Sequence, residues 1–280
     1  MHRPTYIRVF LTFARNSLVR DMTFRGNFII ESISSMSWMA MNLGFYILIF
    51  NQIPEDGELA PGSGWGKYEF FIFLSTTLFI NSLVQAFFMP NANEFSELIR
   101  TGGLDFALLK PIDTQFLISL QRVNWSSLAN FFFAICLLSY SLAELNYMPS
   151  WWQLVLYPFY VLCGVAILYS LMITLSATSI WLGRNQTLYD FWFYITNFSR
   201  YPMEIYSGPF GRPLQVTFTY LIPILVVVNV PARILAQPLE STQPGTWRLA
   251  GFAVLATAGS LAASRWVFQR SLLAYRSASS

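Results

Sequence analysis

The sequence is poor in charged residues. Asp, Glu, Lys and Arg make up 11% of its 280 residues, against about 25% in a typical soluble domain. Hydrophobic residues make up 55% and the mean hydropathy is +0.47. So few charges cannot cover a water-facing surface, and we therefore expect an integral membrane protein.

Residues that carry catalysis are also scarce. His2 is the only histidine, and Cys136 and Cys163 lie inside apolar runs. A His-rich metal site, a His-dependent catalytic set and a disulfide framework are therefore not expected. The glycine-rich stretch 61–68 lacks the leading glycine and the Ser or Thr after Lys67 that a phosphate-binding loop needs. We expect no enzyme activity and no nucleotide or other cofactor bound by this chain.

Long apolar runs predict an all-α membrane protein of six spans, since a crossing needs about 20 apolar residues. The candidate spans are 28–50, 68–89, 116–140, 151–181 and 247–268, with one more within 186–237. Residues 1–27 read as an amphipathic helix in the headgroup layer. The spans and their loops then occupy 28–270, and 271–280 form a tail.

Lysine and arginine predict the orientation, because they are enriched in cytoplasmic loops. With both termini cytoplasmic and 186–211 on the same side, 14 of the 17 basic residues lie inside and 3 outside. The acidic loop 51–67 then lies outside. Glu31, near the inner end of the first span, is expected to reach the headgroups or to cap a neighbouring helix, with a role in the transport path as the alternative.

Two interpretations of 186–237 remain open. In one, 186–211 lies on the cytoplasmic surface and 213–236 is the fifth span. In the other, 186–206 is the fifth span and 209–236 is a re-entrant hairpin in the outer leaflet, which leaves 12 basic residues inside and 5 outside. Asp190, Asn197 and Arg200 would then have to face a protein interior or a water-filled path.

The loop 93–115 between the second and third spans carries the clearest local pattern. Glu97 and Arg100 are spaced to pair on a helix, and Gly102 and Gly103 break that helix. A short helix follows to about Leu109, and Pro111 helps to end it. Its apolar side is expected to bind a partner; an ordinary helical connection is the alternative. Leu104, Leu108 and Leu109 make up this apolar side.

This loop resembles that of type-2 ABC (ATP-binding cassette) transporter permeases, in a prokaryotic branch of six-span permeases. The similar residues are Ile99, Gly102–Asp105 and Leu108–Ile112; the segments 201–206, 220–223 and 229–232 are similar too. The resemblance implies that a second permease and a separate cassette ATPase bind this chain. Glu97, Arg100, Gly102, Gly103, Leu104, Asp105, Leu108, Leu109, Lys110 and Pro111 would then form the coupling helix and its base.

The resemblance also implies a function: the membrane subunit of an ATP-driven exporter in a prokaryotic plasma membrane. ATP and magnesium would bind the partner. Asp190, Asn197 and Arg200 are candidates for lining the translocation path, beside the aromatic run 191–194. An ion-driven secondary transporter and a non-transporting membrane assembly protein are the alternatives. No feature points to nucleic acid.

Overall fold

A computed structural model describes residues 5–275 except 55–56, 60–62, 147, 183–185 and 237–243, without the side chains of 182, 186–190 and 244. The described residues form helices and no strand, which confirms the all-α class. The helices are α1 (Tyr6–Thr23), α2 (Arg25–Phe50), α3 (Lys67–Phe87), α4 (Met89–Arg100), α5 (Gly103–Leu108), α6 (Thr114–Leu120), α7 (Leu128–Glu144), α8 (Trp151–Leu182), α9 (Gln186–Asn197), α10 (Arg212–Val216), α11 (Ile224–Ala236) and α12 (Pro244–Ala274).

Four helical stretches are long and apolar enough to cross a membrane. They are Arg25–Phe50, Lys67–Arg100, Trp151–Trp181 and Gly245–Ala274. A fifth candidate is the pair Arg212–Leu221 and Ile224–Ala236, whose axes differ by 87°. Helix α7, with 17 residues, is shorter than the about 20 that a straight crossing needs. The described residues thus give four to five clear spans, and six stays a prediction.

The predicted third span, 116–140, is wrong in its bounds. Helix α6 ends at Leu120 and α7 begins at Leu128. The side chain of Asn91 accounts for the break, because its amide nitrogen donates to the Arg122 carbonyl at 2.7 Å and its oxygen accepts from the Arg122 backbone N–H at 2.8 Å. This side chain satisfies backbone groups that a continuous helix would satisfy itself.

The bundle has two ends, which we name the Trp65 end and the Asp113 end. Helices α3 and α8 run in the same direction between them: Thr76 meets Tyr157 at 3.1 Å, and further along both helices the rings of Phe88 and Tyr169 lie 4.7 Å apart. The loop 51–66 lies at the Trp65 end. The loop that contains α5 lies at the Asp113 end, where α8 also finishes.

Residues 186–206 run from one end to the other. They follow α8 at the Asp113 end, and Glu204 accepts a hydrogen bond from Trp65 Nε1 at 2.8 Å at the opposite end. Glu204 also pairs with Arg233 at 2.8 Å. This geometry favours the interpretation in which 186–206 cross the bundle. Two 3₁₀ turns, Phe198–Arg200 and Met203–Tyr206, interrupt the crossing.

Residues 212–236 then enter the bundle and return to the Trp65 end. Gln215 donates to the Met203 carbonyl at 3.0 Å on the way in, and Gln153 donates to the Ile234 carbonyl at 2.7 Å on the way out. A π-helical turn, Thr217–Leu221, precedes the reversal. The segment therefore enters and leaves the bundle at the same end, the Trp65 end, as a re-entrant hairpin does.

Helix α11, the second limb, is the most buried element of the hairpin. Of its 13 residues only Arg233 is not buried. It packs tightly on α8, where a Cβ on Gly164 would lie 2.8 Å from the Val227 carbonyl oxygen. A side chain at position 164 would therefore force the two backbones apart.

Helix α1 is amphipathic and packs against the loop 121–127. Trp125 Nε1 donates to the Ala14 carbonyl and the Val123 N–H donates to Ser17 Oγ, both at 3.1 Å. Nearer the start of α1, Ile7 and Leu11 are exposed. Exposed aliphatic residues beside a basic polar face suit the boundary between headgroups and acyl chains.

Candidate coupling surface and polar path

Two glycines form the turn that leads into α5. Gly102 has φ +73°, in the left-handed region that costs other residues about 1–2 kcal/mol. A Cβ on Gly103 would lie 2.9 Å from Leu98 Cδ2. The turn therefore needs glycine at the first position for its backbone, while a side chain at the second would displace the end of the Leu98 side chain. The sequence prediction of a helix break here is confirmed.

The predicted ion pair at the end of α4 is confirmed. Arg100 Nε donates to Glu97 Oε2 at 2.8 Å, and Nη2 of the same guanidinium contacts Glu97 Oε1. The hydrogen bond from Arg100 lowers the pKa of Glu97 from its ordinary value. Both side chains are solvent-exposed, so the pair stabilises the last turn of α4 only weakly.

The expectation that Leu104 faces a partner is wrong. Leu104 is 0% exposed and packs in an apolar cluster with Phe95, Leu117 and Phe268. Leu104 and Ala107, three positions apart, both point inward. Leu104 therefore anchors α5 to α4, α6 and α12, and a charge there would disrupt the loop itself.

The outward side of α5 and the residues after it are exposed. Phe106 is 73% and Leu109 81% exposed, and Leu108 is 40% exposed. Lys110 and Pro111 are exposed too. We call Phe106, Leu108, Leu109, Lys110 and Pro111 the coupling surface. Phe106 was missed at the sequence level, although its spacing of three from Leu109 places both on one helix face.

Asp113 holds the end of the loop in place. Its Oδ1 accepts the Phe116 N–H at 2.9 Å, which caps α6, and Arg265 of α12 donates to both of its oxygens at 3.0 and 2.5 Å. Partial burial raises the pKa of Asp113, but the hydrogen bonds from Arg265 and Phe116 outweigh it and lower the pKa overall. The loop is thus tied to α12 by this pair and by Phe95, whose ring lies 6.0 Å from that of Phe268.

Asp105 is half-buried and its side chain lies beside Tyr275. Burial, and after it the neighbouring Asp105 carboxylate, raise the pKa of Tyr275. Tyr275 directly follows α12. The first turn of α5 therefore contacts the residue that follows α12, the helix that also supplies Arg265 to Asp113.

The candidate path residues lie on or just beyond α9. The side chain of Asp190 is outside the described residues. Tyr194 is exposed, Asn197 is half-buried, and Arg200 is exposed with its guanidinium 5.6 Å from the Phe193 ring centroid. Trp192 and Ile195 point into the bundle. A polar strip at a spacing of three thus faces out of this chain.

The coupling surface and this strip lie towards opposite ends of the bundle. Arg200 and Tyr201 lie beside Tyr46 of α2, close to the Trp65 end. Helix α2 is itself poorly covered, since Phe50 is its only buried residue. The two sequence-predicted sites are therefore separate, and the strip lies next to the least covered span.

The described residues thus form a helical bundle with several helices long and apolar enough to cross a membrane, which is the architecture of a multi-pass membrane protein. The family described as ABC-2 family transporter protein matches residues 36–279. The chain belongs to this family. Comparison with curated proteins and with solved structures gave no match.

Proposed function

We propose that this chain is the permease subunit of an ATP-driven exporter, and that its coupling surface binds a separate cassette ATPase. Membership of the family supports a transporter in general. The observation that carries the finer proposal is the form of the loop: Leu104 is fully buried, whereas Phe106 on the same short helix and Leu109 directly after it are exposed. An ordinary connection between spans has no need to hold two large apolar side chains rigidly in water.

The orientation in this proposal follows the basic residues. The Asp113 end is cytoplasmic, and so are both termini. The ATPase, with its ATP and magnesium, then lies below α5, and the loop 51–66 faces the opposite side of a prokaryotic plasma membrane. The pair of Arg233 and Glu204 lies at that outer end.

A second permease, identical or homologous, completes the path. The uncovered side of α2 and the strip of Tyr194, Asn197 and Arg200 lie side by side near Tyr46. Polar groups are costly against lipid, so a partner subunit that covers this strip would turn it from a lipid-facing surface into the wall of a pathway. Movement of α5 by the ATPase would then change access to that wall.

The experiment compares Leu109→Asp with Met148→Asp in the full chain, co-expressed with the genes that flank its own, and measures whether a cassette ATPase co-purifies. Both leucine and methionine here are strongly exposed, at 81% and 92%, so neither change should harm folding. Met148 lies at the Trp65 end, between α7 and α8. We expect Leu109→Asp to abolish co-purification of the ATPase and Met148→Asp to leave it intact.

Two results would count against the proposal. Equal recovery of the ATPase with both variants would show that the coupling surface is not its binding site. Transport that continues after ATP depletion and stops when the ion gradient collapses would favour the ion-driven alternative.

A further inference from the structure

A cavity of about 380 Å³ opens at the elbow between α1 and α2, away from both sites described above. Its walls come from the end of α1, the start of α2, the start of α4 and the loop 121–127. The charged side chains in the wall are Arg20, Asp21, Glu31 and Arg122. The volume lies within the range of about 300–1,000 Å³ typical of small-molecule sites.

The two arginines and the glutamate differ in their partners. Arg20 pairs with Asp21 at 3.2 Å, and Arg122 pairs with Glu94 at 2.6 Å. Each guanidinium has five N–H donors and is only partly used by one carboxylate. Glu31 forms no ion pair with any described residue; its Oε1 accepts a hydrogen bond from Asn124 at 3.0 Å. The cavity therefore offers donors for an anion and, in the same wall, a carboxylate for a cation.

The cavity also has an apolar part. Phe24 and Phe28 line it, and the Phe24 side chain is exposed. The cavity lies at the Asp113 end, beside the amphipathic α1, a helix of the kind that lies at the boundary between headgroups and acyl chains. A ligand held here would have its polar part among the charges and its apolar part against Phe24 and Phe28, at the start of α2.

We propose that this cavity binds the headgroup of a phospholipid with a primary amine, such as phosphatidylethanolamine. Arg20 and Arg122 hold the phosphate, and Glu31 accepts hydrogen bonds from the ammonium group. The quaternary ammonium of phosphatidylcholine has no N–H to donate, so the site discriminates between the two lipids. A phosphatidylglycerol headgroup would bring no cation to Glu31.

The test is a lipid titration of the detergent-solubilised full chain, read by native mass spectrometry. The probes are the dioctanoyl forms of phosphatidylethanolamine, phosphatidylcholine and phosphatidylglycerol, with free phosphoethanolamine and inorganic phosphate as soluble arms. We expect phosphatidylethanolamine to bind about tenfold more tightly than either other lipid, as one charge-assisted hydrogen bond provides. The soluble compounds should bind much more weakly, because they lack the apolar contact with α2.

Two variants and two matched controls assign the effect to the cavity. Glu31→Gln should abolish the preference over phosphatidylcholine, and Glu144→Gln, an exposed acid at the other end of the bundle, should keep it. Arg20→Gln should weaken all three lipids, and Arg15→Gln, an exposed arginine on the same helix, should not. Arg20 is exposed, so its variant tests the site even if Glu31→Gln does not fold.

Three outcomes would overturn the assignment. Equal binding of phosphatidylethanolamine and phosphatidylcholine, or a preference that survives Glu31→Gln, would remove the role of the carboxylate. Binding of free phosphoethanolamine as tight as that of the lipid would make this a site for a soluble ligand.

Discussion

Replacing Leu104 by alanine tests whether the coupling loop is anchored from within. Leu104 is 0% exposed and contacts the apolar cluster that contains Phe95 and Phe268. Truncating a fully buried leucine costs about 2–5 kcal/mol. The loss falls mainly on α5, because α5 has only six residues and Leu104 is the larger of its two buried side chains. Local opening of α5 should therefore become more frequent.

Hydrogen exchange of the detergent-solubilised chain measures this opening directly. A loss of 2 kcal/mol corresponds to about 30-fold faster exchange of the α5 amides, and larger losses to more. Exchange in α8 and α3 should not change. The control is Leu109→Ala, since Leu109 is 81% exposed and a surface change of this kind alters stability by about 0.5 kcal/mol or less.

The two variants should separate anchoring from binding. Leu104→Ala should speed exchange and weaken the ATPase through a disordered loop, whereas Leu109→Ala should weaken the ATPase with normal exchange. Unchanged exchange in Leu104→Ala would refute the anchoring argument, and so would equal acceleration in both variants.

Three further predictions concern the ends and the centre of the bundle. Glu204→Gln should lower stability by about 2 kcal/mol, because it leaves the Arg233 guanidinium, 14% exposed, without its carboxylate; a double-mutant cycle of thermal unfolding with Arg233→Gln should show coupling between them, and additive losses would contradict this. Gly164→Ala should reduce the unfolding midpoint, because its Cβ would lie 2.8 Å from a carbonyl oxygen of α11, whereas Gly259→Ala has open space and should not. Asp113→Asn should flatten the acid side of the stability profile: the pKa of Asp113 is lowered in the folded chain, so its stabilisation is complete above the unfolded value of about 3.9 and is lost as the pH falls through the lower folded pKa. Thermal unfolding from about pH 5 down to about pH 2 measures that difference, and equal slopes in wild type and variant would contradict it.

Composition and local spacing predicted much of this structure from the sequence. The low charge content and the apolar runs gave the membrane class, because lipid and water select opposite surfaces. The sequence also predicted the ion pair of Glu97 and Arg100 and the helix break at Gly102, since both depend on neighbours within one helical turn. The extent of the third span was not, because the break before α7 depends on Asn91, about 30 residues earlier in the sequence.

Which side of a short helix is buried was harder to predict. Leu104, Leu108 and Leu109 were grouped as one apolar side, yet Leu104 points inward and Leu109 outward. In a helix of six residues apolar side chains occur all round, and hydropathy does not distinguish an anchor from a contact. The partners of Leu104 come from α4, α6 and α12, so only the tertiary fold decides. The crossing of 186–206 was likewise undecided until Glu204 was placed beside Trp65 at the opposite end from α5.

If the proposed ATPase acts on α5, the way α5 is held indicates where the chain would change shape. Leu104 and Asp113 fix the loop to α12, and the same apolar cluster includes Ile173 of α8. A packed interior of this kind moves as a unit rather than deforming continuously, so displacement of the coupling surface should move α8 and α12 with it. Helix α8 contacts α11 closely at Gly164, so the movement would pass on to the hairpin.

The elements that bend most easily are then the 3₁₀ turns after α9 and the π-helical turn before α11, where regular hydrogen bonding is already interrupted. We therefore expect the strip that ends at Arg200 to be reoriented by bending at these turns, while the loop that receives the force stays rigid.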